Sequence, residues 1–261
     1  MSAGDAQPVE PRDTFYVRRG KRLIDIAVSA IALIVTLPIN ALVAVGTLLD
    51  VGRPLLFNQD RLGKDGRVFT LVKFRNMTNE TDEHGNLLPA GERVTRFGRL
   101  MRKTSLDELL NFWPILKGDM SLIGPRPLLV EYGPLYNERH RMRMAVRPGL
   151  ECPTPARLDH PITWQEQFDN DVWYVENVSL DTDLKLLLRI VGLVFDRRQT
   201  AIRGGGSRGV FGGYDENGVA TSVDALSGKT EYGIRKQENR NAHSDLSTAE
   251  LTFEGMRSGD C

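Results

Sequence analysis

Apolar and polar positions divide the chain into unlike stretches. From Leu23 to Leu49 the sequence LIDIAVSAIALIVTLPINALVAVGTLL is apolar apart from Asp25 and a few small polar residues. A straight helix of that length reaches about 40 Å, more than the ~30 Å hydrocarbon core of a bilayer. The run is longer than the apolar region of a removable signal peptide, and about forty residues precede any small-residue cleavage point, so the segment is expected to stay. Pro38 lies near its middle, removes a backbone donor and predicts a kink. Cations flank both ends, Arg18, Arg19, Lys21 and Arg22 before it and Arg53, Arg61 and Lys64 after it. A single span would carry them mainly on one side. The pattern therefore favours a re-entrant helix, broken at Pro38, that dips into one leaflet and returns; an ordinary span is the alternative.

Beyond the apolar run, residues 55–77 alternate around Lys64-Asp65-Gly66, which predicts a β-hairpin. Side chains alternate along a strand, so Lys73 and Arg75 should share an exposed face with Phe74 turned away. Residues 79–92 are polar and turn-rich and read as a surface loop. Arginines at 93, 96, 99 and 102 would gather on one side of a helix, with Val94, Phe97 and Met101 on another. Such a basic amphipathic helix suits either an anionic membrane surface or solvent. In RKTSLDELLNFWP, Ser105 and Glu108 have capping-box spacing, Leu106, Leu109, Leu110 and Trp113 make a helical stripe, and Pro114 should bend or end it. A second basic helical stretch runs to Pro148. Residues 162–195 read as a helix, a short linker and another helix started by Ser179 or Asp181. From Arg203 a Gly-rich, weakly apolar tail is expected to be disordered to Cys261. The resulting division is a flexible N-terminus (1–17), a membrane-anchoring re-entrant helix (18–50), a catalytic domain (51–202) and the tail (203–261). The fold class expected is α+β and mainly helical.

Composition changes this picture little. A chain of 261 residues can hold one compact domain with appendages, and its 34 Lys+Arg balance 34 Asp+Glu, so no nucleic-acid partner is expected. Cys152 and Cys261 are too far apart in sequence to suggest a disulfide framework, which fits a reducing, cytosolic setting. His84, His140, His160 and His243 lack metal-ligand spacing. Trp164 and Trp173 read as core or interfacial residues.

The candidate chemistry lies at Asp107 and Glu108. Alone, the pair reads as a helix cap. Its neighbours point further: Arg102 and Lys103 lie upstream, and Arg126 is fixed between two prolines in GPRP. Guanidinium groups suit bidentate phosphate binding, and a helix start amid cations favours an anion. A carboxylate there can hold Mg²⁺ on phosphates or attack phosphorus itself. Asp181-Thr182-Asp183 resembles the Asp-x-Asp of metal-dependent glycosyltransferases, but it is also what a helix start looks like.

The runs KRLIDIAVSAIALIVTLP, VKFRNM, RKTSLDELLNFWPILKGDMSLIGPRPLL, VRPG and FDNDVWYVENVSLDTDLKLLLRIV together resemble the bacterial sugar transferase family, the monotopic polyprenyl-phosphate phosphoglycosyl transferases. The resemblance covers about residues 15–200. It departs after VRPG, where LECPTPARLDHP replaces a Gly-containing stretch, and at Leu37-Pro38, where members often carry Ser-Pro. The resemblance implies a bacterial inner-membrane enzyme on the cytoplasmic face that begins a glycan, such as an exopolysaccharide, on a lipid carrier. Asp107 would attack the β-phosphate of a UDP-sugar, releasing UMP and leaving a covalent phosphosugar. Undecaprenyl phosphate would then take that group. Glu108 would deprotonate the lipid phosphate or assist Mg²⁺, with Asp107 as the metal ligand. Lys73, Arg102 and Arg126, and less firmly Arg75 and Arg147, would neutralise phosphates. Inner-membrane lipid is the remaining partner, and self-association stays open. A metal-dependent glycosyltransferase releasing UDP and an inactive membrane-anchored scaffold are the other readings.

Overall fold

The protein is described here by a computed structural model covering residues 11, 13–151, 160–194 and 209–226. His243 and most of the segments 1–17 and 203–261 lie outside the described residues. A π-helical turn, Tyr16–Gly20, leads into α1, Lys21–Val51, which continues through Pro38, so the break expected there is not seen in the helix. It is long and apolar enough to cross a membrane. One narrow face is buried (Asp25, Ser29, Asn40, Val43, Thr47), while Leu42 and Leu49 are 74% and 82% exposed. Hydroxyls within it bond back along the helix, Ser29 Oγ to Asp25 O at 2.6 Å and Thr36 Oγ1 to Ala32 O at 2.7 Å. An apolar medium therefore meets few unsatisfied groups there.

Both ends of α1 are fastened to the same body. Near its start, Arg22 donates to the carbonyls of Ile115 and Leu116 at 2.5 and 2.6 Å. One turn later Asp25 Oδ1 accepts from Ser121 Oγ and Leu122 N, both at 3.0 Å. Near its end, Val43 packs with Phe74 and Met101, and Thr95 Oγ1 donates to Asp50 at 2.5 Å. Gly46 permits this close approach, since a Cβ there would stand 2.4 Å from the Phe97 ring.

The expected hairpin is present. β1 (Leu56–Leu62) pairs antiparallel with β2 (Val68–Phe74), with Phe57 opposite Lys73, and Lys64–Gly66 forms the turn. The basic helix differs in its start. After a short α2 (Ala90–Arg93), Val94 is extended, and Thr95 caps α3 (Arg96–Thr104) by accepting from Gly98 N at 2.8 Å. Arg93 therefore leaves the arginine row and instead donates to the Leu88 and Thr78 carbonyls.

The single helix expected from Ser105 is also corrected. Ser105 has φ +55° and makes no side-chain cap. It breaks the chain between α3 and a 3₁₀ segment, Leu106–Asn111, which runs into α4 (Phe112–Lys117). Pro114 sits in the first turn of α4, where its missing N–H is no loss. The second basic stretch is likewise a chain of short turns: 3₁₀ Val130–Leu135, α5 (Glu138–Arg141) and 3₁₀ Met142–Ala145. β3 (Ser121–Ile123) and β4 (Gly149–Glu151) pair in parallel on either side of it.

The last long helices follow the sequence closely. α6 (Trp164–Asn177) starts with a Thr163/Glu166 capping box, and α7 (Leu180–Val194) starts at Ser179, whose Oγ accepts from Thr182 N at 3.1 Å. Residues 209–226, assigned by composition to a disordered tail, are instead β5 (Phe211–Tyr214), β6 (Ala220–Ser222) and α8 (Val223–Leu226). Phe211 is buried among Tyr132, Tyr136, Trp164 and Phe168, its ring 4.9 Å from that of Phe168. Aromatic burial, which the segment's glycines disguise, holds this hairpin in the core. The fold is α+β and mainly helical, with three two-stranded sheets among the described residues.

Candidate active site

The site forms where the end of β2, the Ser105 break and the GPRP turn meet. The positive φ of Ser105 turns the chain so that Asp107 points inward, 6% exposed, while Glu108 faces β2. Lys73 Nζ is paired with Glu108, a contact 35 residues apart in sequence. Glu108 thus does not reach back to cap Ser105 as its spacing suggested.

Asp107 and Glu108 are driven apart electrostatically. Burial, and then the charge of Glu108, pushes the Asp107 carboxyl above the usual range, with Lys73 and Arg102 opposing. Burial would raise Glu108 too, but the charge and hydrogen bond of Lys73, with Arg126 and Arg61 beyond, carry it below its ordinary value. Two adjacent acids with opposite shifts are a recurrent sign of divided chemical roles.

Around them lies an open pocket of about 910 Å³ lined by Lys73, Arg102, Asp107, Glu108 and Arg126, and also by Arg75 and Arg93. Lys73, Arg102 and Arg126 are thereby brought together with the acidic pair, as expected. Arg126 stands on a fixed backbone: its carbonyl accepts from Arg143 Nη2 at 2.7 Å, and Arg143 is paired with Asp171, the two being 3% and 0% exposed. A buried ion pair of this kind is costly to break, about 3–5 kcal/mol, so it holds the GPRP turn firmly.

Two expected cations have other hydrogen-bond partners. Arg75 borders the pocket, but its guanidinium donates to the carbonyls of Val51, Gly52 and Arg53, closing the C-terminus of α1. Arg147 is outside the pocket altogether; its Nε donates to Gly118 O at 2.8 Å, at the end of α4, beside a separate small cavity at the hairpin turn. Cations at helix C-termini satisfy carbonyls left without partners.

The Asp-x-Asp stretch is divided too. Asp183 is buried and receives hydrogen bonds from Tyr16, Lys21 and Tyr174 at 2.5, 2.5 and 2.6 Å, tying α7 to the foot of α1. Asp181 pairs with Lys185 at the surface. Their side chains do not share a ligand-binding point. His140 is buried against Tyr214 and Asp169, His160 pairs with Glu166, Trp164 is in the core and Trp173 is 46% exposed.

Asn76, Arg143 and Asp171 are not singled out by the sequence pattern, and Arg61 and Arg93 are marked there only as cations outside the candidate site. Asn76 had a signal, lying in VKFRNM three residues after Lys73; Arg143 had none, because RHRMRMAVR has a surface composition.

A family model described as bacterial sugar transferase matches residues 16–197. The chain is 46% identical over 167 residues to the uncharacterized sugar transferase EpsL of Bacillus subtilis, covering 64% of this chain and 83% of that one. It is 34% identical over 202 residues to the UDP-N-acetylgalactosamine-undecaprenyl-phosphate N-acetylgalactosaminephosphotransferase of Aeromonas hydrophila, covering 74% of this chain and 45% of that one. It is 32% identical over 195 residues to the UDP-glucose:undecaprenyl-phosphate glucose-1-phosphate transferase of Caulobacter vibrioides, covering 71% and 73% respectively. It thus spans less than half of some relatives and most of others.

Proposed function

The chain belongs to the bacterial sugar transferase family, and from that premise we propose that it moves a phosphosugar from a UDP-sugar to undecaprenyl phosphate through a covalent intermediate on Asp107. The observation that carries the reading is a buried carboxylate, raised in pKa, among Lys73, Arg102 and Arg126 in one pocket. Relatives named for transfer to undecaprenyl phosphate support the acceptor.

In the first step an Asp107 oxygen bonds to the β-phosphorus as the bond from that phosphorus to the bridging oxygen breaks, and the electron pair leaves with UMP. In the second, an oxygen of the lipid phosphate attacks the same phosphorus, and the Asp107 carboxylate departs with its electrons. The three cations offset charge on the phosphates, and their fixed backbones cost little reorganisation. Glu108, held ionised by Lys73, can take the proton of the lipid phosphate.

Mg²⁺ belongs to the proposal as well. Among the described residues no three metal-ligating side chains cluster, but magnesium is commonly held by one or two carboxylates together with substrate phosphates. Asp107, with lone pairs to spare beyond the bond it accepts from Asn76, fits that habit. A bound Mg²⁺ would supply charge neutralisation on the diphosphate.

We place the enzyme at the cytoplasmic face of the bacterial inner membrane, with α1 entering and leaving one leaflet. Support comes from its two fastened ends: residues 25 and 47 would lie about 33 Å apart along a straight helix, yet both meet the same folded body. The nucleotide released tests the function. With UDP-sugar, undecaprenyl phosphate and Mg²⁺, the expected product is UMP; UDP would indicate a glycosyltransferase, and no nucleotide an inactive scaffold.

A further inference from the structure

We propose that Asn76 is a positioning residue for the reaction, holding Asp107 so that one carboxylate oxygen is tied down and the other is aimed at phosphorus. The inference rests on the reading of Asp107 as nucleophile. Asn76 Nδ2 donates to Asp107 Oδ2 at 2.8 Å. On its other side, Asn76 Oδ1 accepts from Arg102 Nε at 3.1 Å and Arg102 Nη2 at 2.9 Å. A guanidinium can only donate and an ionised carboxylate can only accept, so the amide between them has a single workable orientation. Arg102 therefore fixes the amide, and the amide fixes the carboxylate.

The backbone is built for this contact. Gly98 of α3 lies against Asn76, and a Cβ at position 98 would stand 2.1 Å from the Asn76 carbonyl oxygen. That close approach sets Asn76 beside the break at Ser105 and hence beside Asp107. With Oδ2 engaged, rotation of the carboxyl group is restricted and Oδ1 becomes the attacking atom. When Oδ1 bonds to phosphorus, Oδ2 becomes the carbonyl oxygen of the acyl phosphate and keeps the amide as its donor. When the lipid phosphate attacks, the Oδ1–phosphorus bond breaks and the carboxylate regains its charge. A hydrogen bond to a charged acceptor is stronger than one to a neutral acceptor, so Asn76 also assists the departure of Asp107.

The test compares wild type with Asn76→Leu, which has similar volume but no donor, and Asn76→Asp, which keeps shape and the acceptor for Arg102 but replaces the donor. Melting temperature, kcat and KM for UDP-sugar, and the decay of preformed phosphosugar-enzyme on addition of undecaprenyl phosphate are measured. A folded Asn76→Leu should keep KM near wild type, lose roughly 10- to 100-fold in kcat, and discharge its adduct more slowly than wild type. If Asn76→Leu does not fold, Asn76→Asp decides, with the same pattern expected. A folded variant with kcat near wild type, or with a KM rise accounting for the entire loss, overturns the inference. A wild-type enzyme that turns over without ever carrying phosphosugar on Asp107 overturns the nucleophile reading instead, and the Asn76 inference with it.

Discussion

Asp107 and Glu108 share a peptide bond and meet opposite electrostatic surroundings. Asp107 is raised by burial and by Glu108, so at neutral pH its charge opposes folding. Its favourable contribution belongs to the protonated form and is lost as pH rises through the raised folded value. Asp107→Asn should therefore melt no lower than wild type in a chelating buffer at neutral pH, while UMP release disappears. Glu108 is the reverse case: Lys73 carries it below its ordinary value despite burial, so its contribution is present above that value and lost as pH falls through the folded one. Glu108→Gln should lower the melting temperature at neutral pH, and an increase would contradict the Lys73 pairing. At this scale the gathering of Asp107, Lys73, Arg102 and Arg126 in one pocket was legible because motif and charge both marked them. Orientation was not legible. Arg75 and Arg147 have the same charge but turn to carbonyls at helix ends, and Glu108 finds its partner on a strand rather than at Ser105, where its capping-box spacing points.

Elements whose pattern agreed with their packing were readable. The β1–β2 hairpin and the pair α6 and α7 follow alternation, turn and cap signals directly. The stripe Leu106, Leu109, Leu110, Trp113 fits an α-helix but is built from a 3₁₀ segment and a short helix, with Trp113 58% exposed. A periodic count cannot register the positive φ at Ser105. The hairpin at 211–222 had one signal that could have found it: Asn217-Gly218 between FGGY and VATS, with Gly218 at φ +75°. Its core partners Tyr132, Tyr136, Trp164 and Phe168 lie far earlier in the chain, out of reach of local composition. Phe211→Ala should cost about 3–5 kcal/mol in denaturant unfolding, and a loss near zero would show that the hairpin is not part of the core. His140, which joins α5 to this hairpin through Tyr214 at 2.8 Å, is pulled below its ordinary 6.5 by burial, then raised in part by Asp169 and lowered by Arg139 and Arg143. The unfolded chain thus binds a proton more readily than the fold. Stability should fall as pH drops from about 6.5 toward the lower folded value, and His140→Gln should flatten that slope in pH-resolved thermal melts. Within α3, Gly98→Ala should displace Asn76 and lower kcat far more than it changes UDP-sugar KM.

At the scale of the molecule, α1 behaves as a strap fastened twice to one body, by Arg22 and Asp25 near its start and by Val43 and Asp50 near its end. Its exposed apolar surface then lies between two attachments to a single body. Cysteines placed at positions 19 and 53, in a chain with Cys152 and Cys261 replaced by Ser, should both be shielded from an impermeant maleimide in intact spheroplasts and both labelled after lysis. Labelling of one alone would place the flanks on opposite sides and remove the re-entrant arrangement. The same geometry brings the end of α1, closed by Arg75, to the edge of the pocket that contains Asp107, so that on the proposed reading a lipid phosphate and a UDP-sugar would reach one carboxylate in turn.

The proposed reaction turns on that carboxylate, and the intermediate on it can be sought directly. Detergent-solubilised enzyme is given a UDP-sugar and Mg²⁺ without undecaprenyl phosphate, quenched and examined by intact-mass and peptide mass spectrometry. The expected result is a mass increase of one phosphosugar on the peptide containing Asp107, matched by UMP in the supernatant, absent in Asp107→Asn and discharged when undecaprenyl phosphate is added. Formation of the lipid-linked product with no adduct at Asp107, or with UDP as the released nucleotide, would contradict it.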